Sequence, residues 1–487
     1  MARVLLAVPP MGASSVPPQL GVAYLATALR RAGHRVGLVH ADRTAMTEAA
    51  FVERVLADRP DVLGLTVVTM AYNAVRRACA ALRARGFGGA VILGGPHATA
   101  LPELCLRETG AAAVVTGEGE TSTPALVAAL AAGRRLDAVP GVAFLDPHLG
   151  HLRRTAPAPL VEDLDALSLP AWDLMDPRAY PAAPHQLFYK RFPTAPIITS
   201  RGCRFNCSYC ASAVVWGHRY RLRSVGDVVA EARHLARDYG VRELHVVDDD
   251  FTANEERVLA LCDALASADL GLVWSLPNGI RTDTVTDRLA AALARAGCYQ
   301  AGLGIDVVEQ AQMRRVRKLR APDAAERAVA TLQRHGVEVR GFYLLGLDTD
   351  TADDLRRTVE VALALPTEFA AFGLATPLPG APDFARWAEG RDLRGFDWDA
   401  LSYFKARDTP HLPAEALQRA LREAVLRFYL RPRTLGRVAA RLHLRQAPVI
   451  ARGLYRYLHG RDAWRDGSIL GSRVRSFLSG PGHFSAG

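Results

Sequence analysis

Between residues 3 and 145, short apolar runs alternate with longer stretches whose apolar residues recur every three or four positions. The short runs, at 4–8, 35–40, 62–67, 90–93 and 113–116, have the length of buried strands. The stretches between them, at 21–32, 49–57, 71–85 and 124–132, carry the apolar periodicity of helices. Such regular alternation predicts a doubly wound parallel sheet. Ligands of these sheets sit outside the carboxyl ends of the strands. Glycine and proline collect at those ends here, in Pro9-Pro10-Met11-Gly12, Gly94-Gly95-Pro96-His97 and Gly117-Glu118-Gly119-Glu120.

From residue 146 to 196 the periodicity fails and proline recurs (Pro157, Pro159, Pro170, Pro177, Pro181), as in a linker packed on a surface. Alternation resumes at Ile197-Ile198-Thr199. Strands are expected at 243–247, 271–275, 299–305, 337–345 and 369–375, with helices at 225–239, 255–266, 286–296 and 322–335. Six β/α units in this length predict a partial (β/α) barrel. Beyond Leu412 the pattern is helical, with Val425, Phe428, Tyr429, Leu435, Val438, Leu442, Val449, Leu454 and Tyr457 forming an apolar series among arginines.

Composition adds limits. The 487 residues are 49% hydrophobic and 23% charged, which excludes a disordered chain and a disulfide-dense miniprotein. The net charge of +10 suggests a nucleic acid or an anionic surface until its location is considered. Residues 411–487 hold 14 Arg against Glu415, Glu423, Asp462 and Asp466, so this tail carries the whole surplus and the rest is neutral. Lysine occurs only at 190, 318 and 405, a skew towards arginine that reads as a GC-rich coding genome. The bland reading of the tail is a helical cap whose arginines reach solvent. An anionic membrane surface or an acidic partner are the sharper readings, and nucleic acid is disfavoured for want of interleaved aromatics. No apolar run reaches the ~18 residues of a membrane span, so a cytoplasmic protein with reduced thiols is expected.

Three of the seven cysteines fall in Cys203-Arg204-Phe205-Asn206-Cys207-Ser208-Tyr209-Cys210, a C-x3-C-x2-C spacing just after a predicted strand. Three thiolates on one loop can hold three irons of a four-iron cluster and leave the fourth open to a ligand. Structural zinc is the alternative, but it usually takes four protein ligands, often as paired C-x2-C knuckles, and no second pair is present. Cys79, Cys105, Cys262 and Cys298 are scattered and expected in the core.

This segment resembles the radical S-adenosylmethionine enzymes, whose hallmark is this spacing with an aromatic residue before the last cysteine, here Tyr209. Weaker motifs extend the resemblance over residues 197–380: Asp248-Asp249-Asp250-Phe251, Asn278-Gly279-Ile280-Arg281 and Thr376-Pro377-Leu378-Pro379-Gly380. It implies a 4Fe-4S cluster on Cys203, Cys207 and Cys210, and S-adenosylmethionine contacts from Tyr209, Asp248, Asp249, Arg281, Asp306 and Gly346. Two motifs depart from close relatives. Gly304-Ile305-Asp306-Val307-Val308 stands for Gly-Ile-Glu-Ser-Gly, and Gly346-Leu347-Asp348-Thr349-Asp350-Thr351 for Gly-Leu-Pro-Gly-Glu-Thr. Read as residues alone, the Asp run is either a solvated turn or a ligand contact at a barrel rim, and Arg281 either clamps a carboxylate or pairs with Asp283.

No G-x-G-x-x-G opens the first helix and no Walker loop is present, which argues against a dinucleotide or a nucleoside triphosphate. The N-terminal loops resemble the cobalamin-binding domain that precedes the cluster domain in one branch of that superfamily. The matching residues are Pro18, Leu20 and Gly21; Leu65, Thr66 and Val67; Gly94, Gly95, Pro96 and His97; and Gly117, Glu118, Gly119 and Glu120. Small residues there let a flat corrin ring approach the backbone. The Asp-x-His-x-x-Gly string of enzymes that put a histidine on cobalt is missing, so cobalamin without a protein His ligand is expected.

The resemblance implies an α/β architecture: a Rossmann-like cobalamin domain over 1–145, a linker over 146–195, a partial (β/α)6 radical barrel over 196–400 and a basic helical region over 401–487. It implies a cobalamin-dependent C-methyltransferase, in which a 5′-deoxyadenosyl radical activates an unactivated carbon of a small, natural-product-like molecule and methylcobalamin supplies the methyl group. A low-potential donor such as flavodoxin or ferredoxin would reduce the cluster. A cyclase or rearrangement enzyme with the same cofactors, and a non-catalytic cobalamin sensor or carrier, remain as alternatives.

Overall fold

The protein is described by a computed structural model that covers residues 1–12, 15–182, 185, 188–441 and 451. Its first sheet has seven strands: β1 (Arg3–Val8), β2 (Arg35–His40), β3 (Val62–Thr66), β4 (Ala90–Gly94), β5 (Ala113–Val115), β6 (Val142–Leu145) and β7 (Leu152–Arg154). They lie in the order β2-β1-β3-β4-β5-β6-β7. The first five are parallel, and β6 and β7 are added antiparallel. Side chains alternate across this sheet as the pleat requires. Val4, Leu6 and Val8 face one core and Leu5 and Ala7 the other, so both faces are covered by helices.

The proline-dense stretch is not uniformly linker, because β7 extends the first sheet by pairing Leu152 with Leu145. The sequence pattern missed this hairpin because three-residue strands at a sheet edge show too little alternation.

The second sheet contains β8 (Thr194–Ile197), then, after a small antiparallel pair β9 (Ser200–Arg201) and β10 (Arg221–Leu222), β11 (Glu243–Val246), β12 (Val273–Ile280), β13 (Cys298–Asp306), β14 (Glu338–Leu345) and β15 (Phe369–Leu374). Six parallel strands in the order β15-β14-β13-β12-β11-β8 form the partial barrel. Its first strand begins at Thr194, inside the expected linker. Residues 382–401 then return to the first domain. Phe384, Trp398 and Leu401 bury themselves in that domain's second core, and Asn73 Nδ2 donates to Asp397 Oδ1 at 2.7 Å.

The helix Ala414–Tyr429 packs Leu417, Leu421, Val425 and Phe428 into the main core, while Leu435 on the next helix, Pro432–Arg441, is exposed. Of the expected apolar series, Leu442, Val449, Leu454 and Tyr457 lie outside the described residues. Arg437 reaches Glu368 (3.4 Å) and Arg441 reaches Glu338, both carboxylates at the amino-terminal ends of barrel strands. Part of the tail's charge therefore meets acids beneath the barrel. Because such partly solvated pairs contribute about 0–1 kcal/mol each, Arg437→Ala and Arg441→Ala are expected to shift the melting temperature slightly and leave cofactor content unchanged. Thermal melts with cobalt and iron analysis check this, and loss of both cofactors would contradict it.

Candidate functional site

A cavity of about 1030 Å³ opens between the carboxyl ends of the two sheets. This is at the top of the ~300–1,000 Å³ range of single small-ligand sites. One wall belongs to the first sheet: Gly21, Leu65, Thr66, Gly94, Gly95, Pro96 and residues 117–120. The opposite wall belongs to the barrel and includes Tyr209, Cys210, Ser212, Asp249, Asn278 and Asp306.

The first wall mixes bare glycine backbone with apolar side chains such as Val22, Leu25 and Ile92. A Cβ on Gly21 would meet no atom within 4 Å, and one on Gly94 or Gly117 would come no nearer than 3.8 Å to any atom, so side chains there would occupy ligand space rather than protein. Gly95 is required for another reason: its φ of 97° and an added Cβ 2.9 Å from the Val67 carbonyl together forbid a side chain. A broad flat ligand fits this cradle. Residues expected at it divide accordingly. Gly21, Leu65, Thr66, Gly94, Gly95, Pro96, Gly117, Glu118, Gly119 and Glu120 line the cavity, and Pro18, Leu20, Val67 and His97 do not.

His97 turns away from the cavity. Its ring stacks on Tyr72 (centroids 4.4 Å) and meets the edge of Trp398 (4.5 Å), with Nδ1 3.2 Å from Thr69 Oγ1. Burial pushes its pKa down to about 3, so it is a neutral core histidine. The sequence could not show this, because Trp398 approaches from 301 residues away.

Glu118 and Glu120 touch the cavity but spend their charge elsewhere. Arg201 Nη1 lies 3.0 Å from Glu118 Oε1 and its Nη2 2.6 Å from Glu120 Oε1; Arg221 Nη2 adds a 2.8 Å pair to Glu118. The Arg201 guanidinium also stacks over Trp216 at 4.5 Å and Tyr24 at 5.2 Å. All four charged side chains are at most 6% exposed. Arg201 immediately precedes Gly202-Cys203, so this network roots the cysteine loop in the first domain. Sequence analysis missed Arg201 and Arg221 because no local pattern names a partner about 80–100 positions away.

The cysteine loop is braced on several sides. The Ser208 amide donates to the Val316 carbonyl (3.0 Å) and the Cys210 amide to the Cys207 carbonyl (3.1 Å). Tyr209 Oη donates to Asp306 Oδ2 at 3.0 Å, and Lys318 pairs with the same carboxylate. Asp306 holds a left-handed conformation (φ 54°), which a non-glycine residue keeps only where its surroundings fix it. Lys318 was legible in one respect, as one of three lysines in a chain of arginines. Arg281 pairs with Asp283 through two contacts, Nε–Oδ1 2.8 Å and Nη2–Oδ2 2.5 Å, and its guanidinium lies 3.9 Å from the Phe205 ring centroid. It braces the loop and does not line the cavity.

Three thiols on one braced loop, with Cys210 opening onto the cavity, fit a cluster with one exposed iron. Among the described residues no group of three His, Cys, Asp or Glu is drawn together as a metal site, the three loop thiols included. Burial pushes the Cys203 thiol up to about 12, with Asp250 and Asp249 adding to it, and raises Cys207 as well against the pull of Lys318.

The Asp run splits three ways. Asp248 is fully buried and accepts from the Thr199 amide, Thr199 Oγ1 and Ser200 Oγ, at 2.5–2.6 Å, so it fastens β11 to the loop after β8. Asp250 faces Arg204 at 3.9 Å. Asp249 is exposed on the cavity wall, and the protein enclosing it, reinforced by the charges of Asp248 and Asp250, pushes its pKa up to about 6. Gly346 lies off the cavity, its amide donating to Asp350 Oδ2 at 2.8 Å.

The family described as "B12 binding domain" matches residues 13–127, and "Radical SAM superfamily" matches residues 197–362. An uncharacterized methyltransferase of Pyrococcus horikoshii is 30% identical over 444 residues, which is 89% of this chain and 94% of that one. An anaerobic magnesium-protoporphyrin IX monomethyl ester cyclase of Rubrivivax gelatinosus is 28% identical over 85% of this chain and 73% of its own length. Among solved structures, the radical S-adenosylmethionine methyltransferase TsrM of Kitasatospora setae superposes with a TM-score of 0.66 at 20% identity, over 80% of this chain and 76% of that one. At that identity the likeness establishes the shared fold.

Proposed function

The chain belongs to the cobalamin-binding radical S-adenosylmethionine enzymes, and on that premise we propose that it methylates an unactivated carbon of a small molecule inside the cavity between its two domains. The observation that carries this reading is the shared cavity: the glycine cradle and Cys210 face one volume. When bound, the cluster, S-adenosylmethionine and cobalamin supply one-electron cleavage of a sulfonium and a carrier for the methyl group.

The protein's own residues hold and orient. Cys203, Cys207 and Cys210 would hold the cluster, and the Tyr209–Asp306–Lys318 contacts keep their loop against the end of β13. Asn278 Nδ2 donates to the Val247 carbonyl at 2.7 Å, tying the ends of β11 and β12 together at the rim. Apolar side chains on both walls exclude water, which protects a radical from quenching.

Product counting tests the reading. Anaerobically reconstituted protein, given substrate, is expected to yield 5′-deoxyadenosine and S-adenosylhomocysteine together. 5′-Deoxyadenosine alone would favour the cyclase or rearrangement reading, and protein that takes up cobalamin but no cluster would favour a carrier. We further propose that Asp249 contacts the cationic end of S-adenosylmethionine, because its carboxylate makes no ion pair among the described residues. Affinity for S-adenosylmethionine is then expected to rise with pH through about 6 as the carboxylate ionises. Asp249→Asn should weaken binding above that pH and flatten the profile, as read by calorimetry from pH 5 to 8. A profile unchanged by the substitution would remove Asp249 from the site.

A further inference from the structure

Beyond Cys210 the cavity continues over the inward faces of β14 and β15, and this chamber has its own chemistry. On β14, Phe342 and Leu344 point inward and alternate with buried Tyr343 and Leu345; on β15, Ala371 and Gly373 take the inward positions. The Phe342 ring packs against the neighbouring strands, since a Cβ placed on Gly279 or Gly302 would come within 2.7 Å of it, so glycine at both positions makes room for the phenyl ring that lines the chamber. Tyr403 and Phe404 stand at the side, and the Tyr403 Cβ lies 3.8 Å from where a Gly373 Cβ would be.

The charges around the cavity point the same way. Among the described residues, no Lys or Arg lines it. Of its four carboxylates, Glu118 and Glu120 are taken by Arg201 and Arg221, and Asp306 by Lys318. The fourth, Asp249, sits on the cluster side of the cavity rather than on the chamber floor. An anionic group entering the chamber would lose hydration and gain no cation, a loss that flat apolar surface does not offset. A neutral ring would stack on the Phe342 face and bury apolar area at no such cost.

We propose that this chamber selects substrates whose reacting portion is uncharged, flat and largely hydrocarbon, such as an aromatic or conjugated ring, and rejects phosphate- or carboxylate-bearing groups at that end. The proposal rests on the cavity being the reaction chamber, but binding alone tests it. Three probes sharing one ring serve: 2-naphthalenemethanol, 2-naphthoate and 2-naphthylmethylamine, measured by equilibrium dialysis against protein loaded with cobalamin and cluster. The alcohol is expected to bind about tenfold or more tighter than the carboxylate, the equivalent of roughly one lost charge contact. Phe342→Leu is expected to weaken the alcohol about three- to tenfold by removing the stacking face, with cofactor absorbance unchanged to show that the fold stands. Tyr403→Lys, at a half-exposed wall position, is expected to raise the affinity for naphthoate. Naphthoate binding as tightly as the alcohol, tighter binding of the amine, no binding of any probe, or indifference to Phe342→Leu would each overturn the proposal. Rings that bind as expected while the substrate yields 5′-deoxyadenosine without S-adenosylhomocysteine would leave the proposal standing and overturn methyl transfer alone.

Discussion

Replacing Cys203, Cys207 or Cys210 by alanine, one at a time, is expected to abolish formation of 5′-deoxyadenosine and to remove most of the bound iron. Three thiolates are the protein's whole contribution to a cluster with one open iron, so losing one leaves two irons without a protein ligand. The fold should survive. The loop is held by other atoms, among them the Ser208 amide on Val316 and Ser208 Oγ on Asp383 at 3.2 Å, and cysteine to alanine removes only one sulfur at a half-buried position. Cobalamin uptake should also survive, because its cradle lies on the other wall. The comparison variant is Cys298→Ala, which alters a buried core thiol on β13 and should leave the iron in place. Iron analysis, absorbance and circular dichroism on the four proteins separate these outcomes. An intact cluster in any of the three loop variants would show that the ligands lie elsewhere. Because burial raises both Cys203 and Cys207, ligation must expel their protons, and cluster assembly is expected to falter as the pH is lowered.

Arg201→Ala is expected to be the most damaging single change away from the cysteines, costing about 3–5 kcal/mol of stability. The guanidinium is 2% exposed and lies between Glu118 and Glu120, so its removal strands Glu120 and leaves Glu118 to Arg221 and the Val161 amide. A matched surface pair provides the control: Arg85→Ala, which releases Glu53 with both partners about half exposed, should cost at most about 1 kcal/mol. Denaturant unfolding of the two variants against the parent checks the contrast, and equal effects would refute the buried network. The pH dependence has a definite sign. Burial works to raise Glu118, but hydrogen bonds from Arg221 and the Val161 amide, together with the charges of Arg201 and Arg221, outweigh it and hold the carboxyl below its usual value. Such a group stabilises the fold above its unfolded pKa of about 4.3, and that stability is lost as the pH falls through the lower folded value. The parent should therefore lose stability in acid more steeply than Glu118→Gln.

This network also explains why residues that look like a cofactor loop have a second duty. Gly117-Glu118-Gly119-Glu120 presents glycines to the cavity and carboxylates to the cysteine loop. The same four residues thus line the cavity and anchor the segment that leads into the cysteine loop.

How much of this was legible in the chain follows from how far each signal reaches. The β/α alternation, the six barrel strands and the Cys203–Cys207–Cys210 spacing are local patterns set by backbone periodicity and by three ligands on one loop, and they stand in the structure close to where the sequence puts them. Two of the three glycine-rich turns, at 94–97 and 117–120, likewise marked strand ends that line the cavity, whereas Pro9-Pro10-Met11-Gly12 does not line it. Direction and partnership were not local. His97 sits on the short helix Pro96–Ala100 at a strand end that suits a ligand, yet Trp398 and Tyr72 draw its ring into the core. Arg281 carries the expected charge but spends it on Asp283 and the face of Phe205. Asp248 and Asp249 are adjacent in the loop that follows β11, yet one turns to hydrogen-bond donors and the other to the cavity. The sequence by itself determined which elements form and which residue types stand at their ends, because those depend on neighbours a few positions away. Only the tertiary structure decided which of those residues face the cavity and which are consumed holding the two domains together, because a buried charge or ring goes to the partner that satisfies it, and here those partners come from remote parts of the chain.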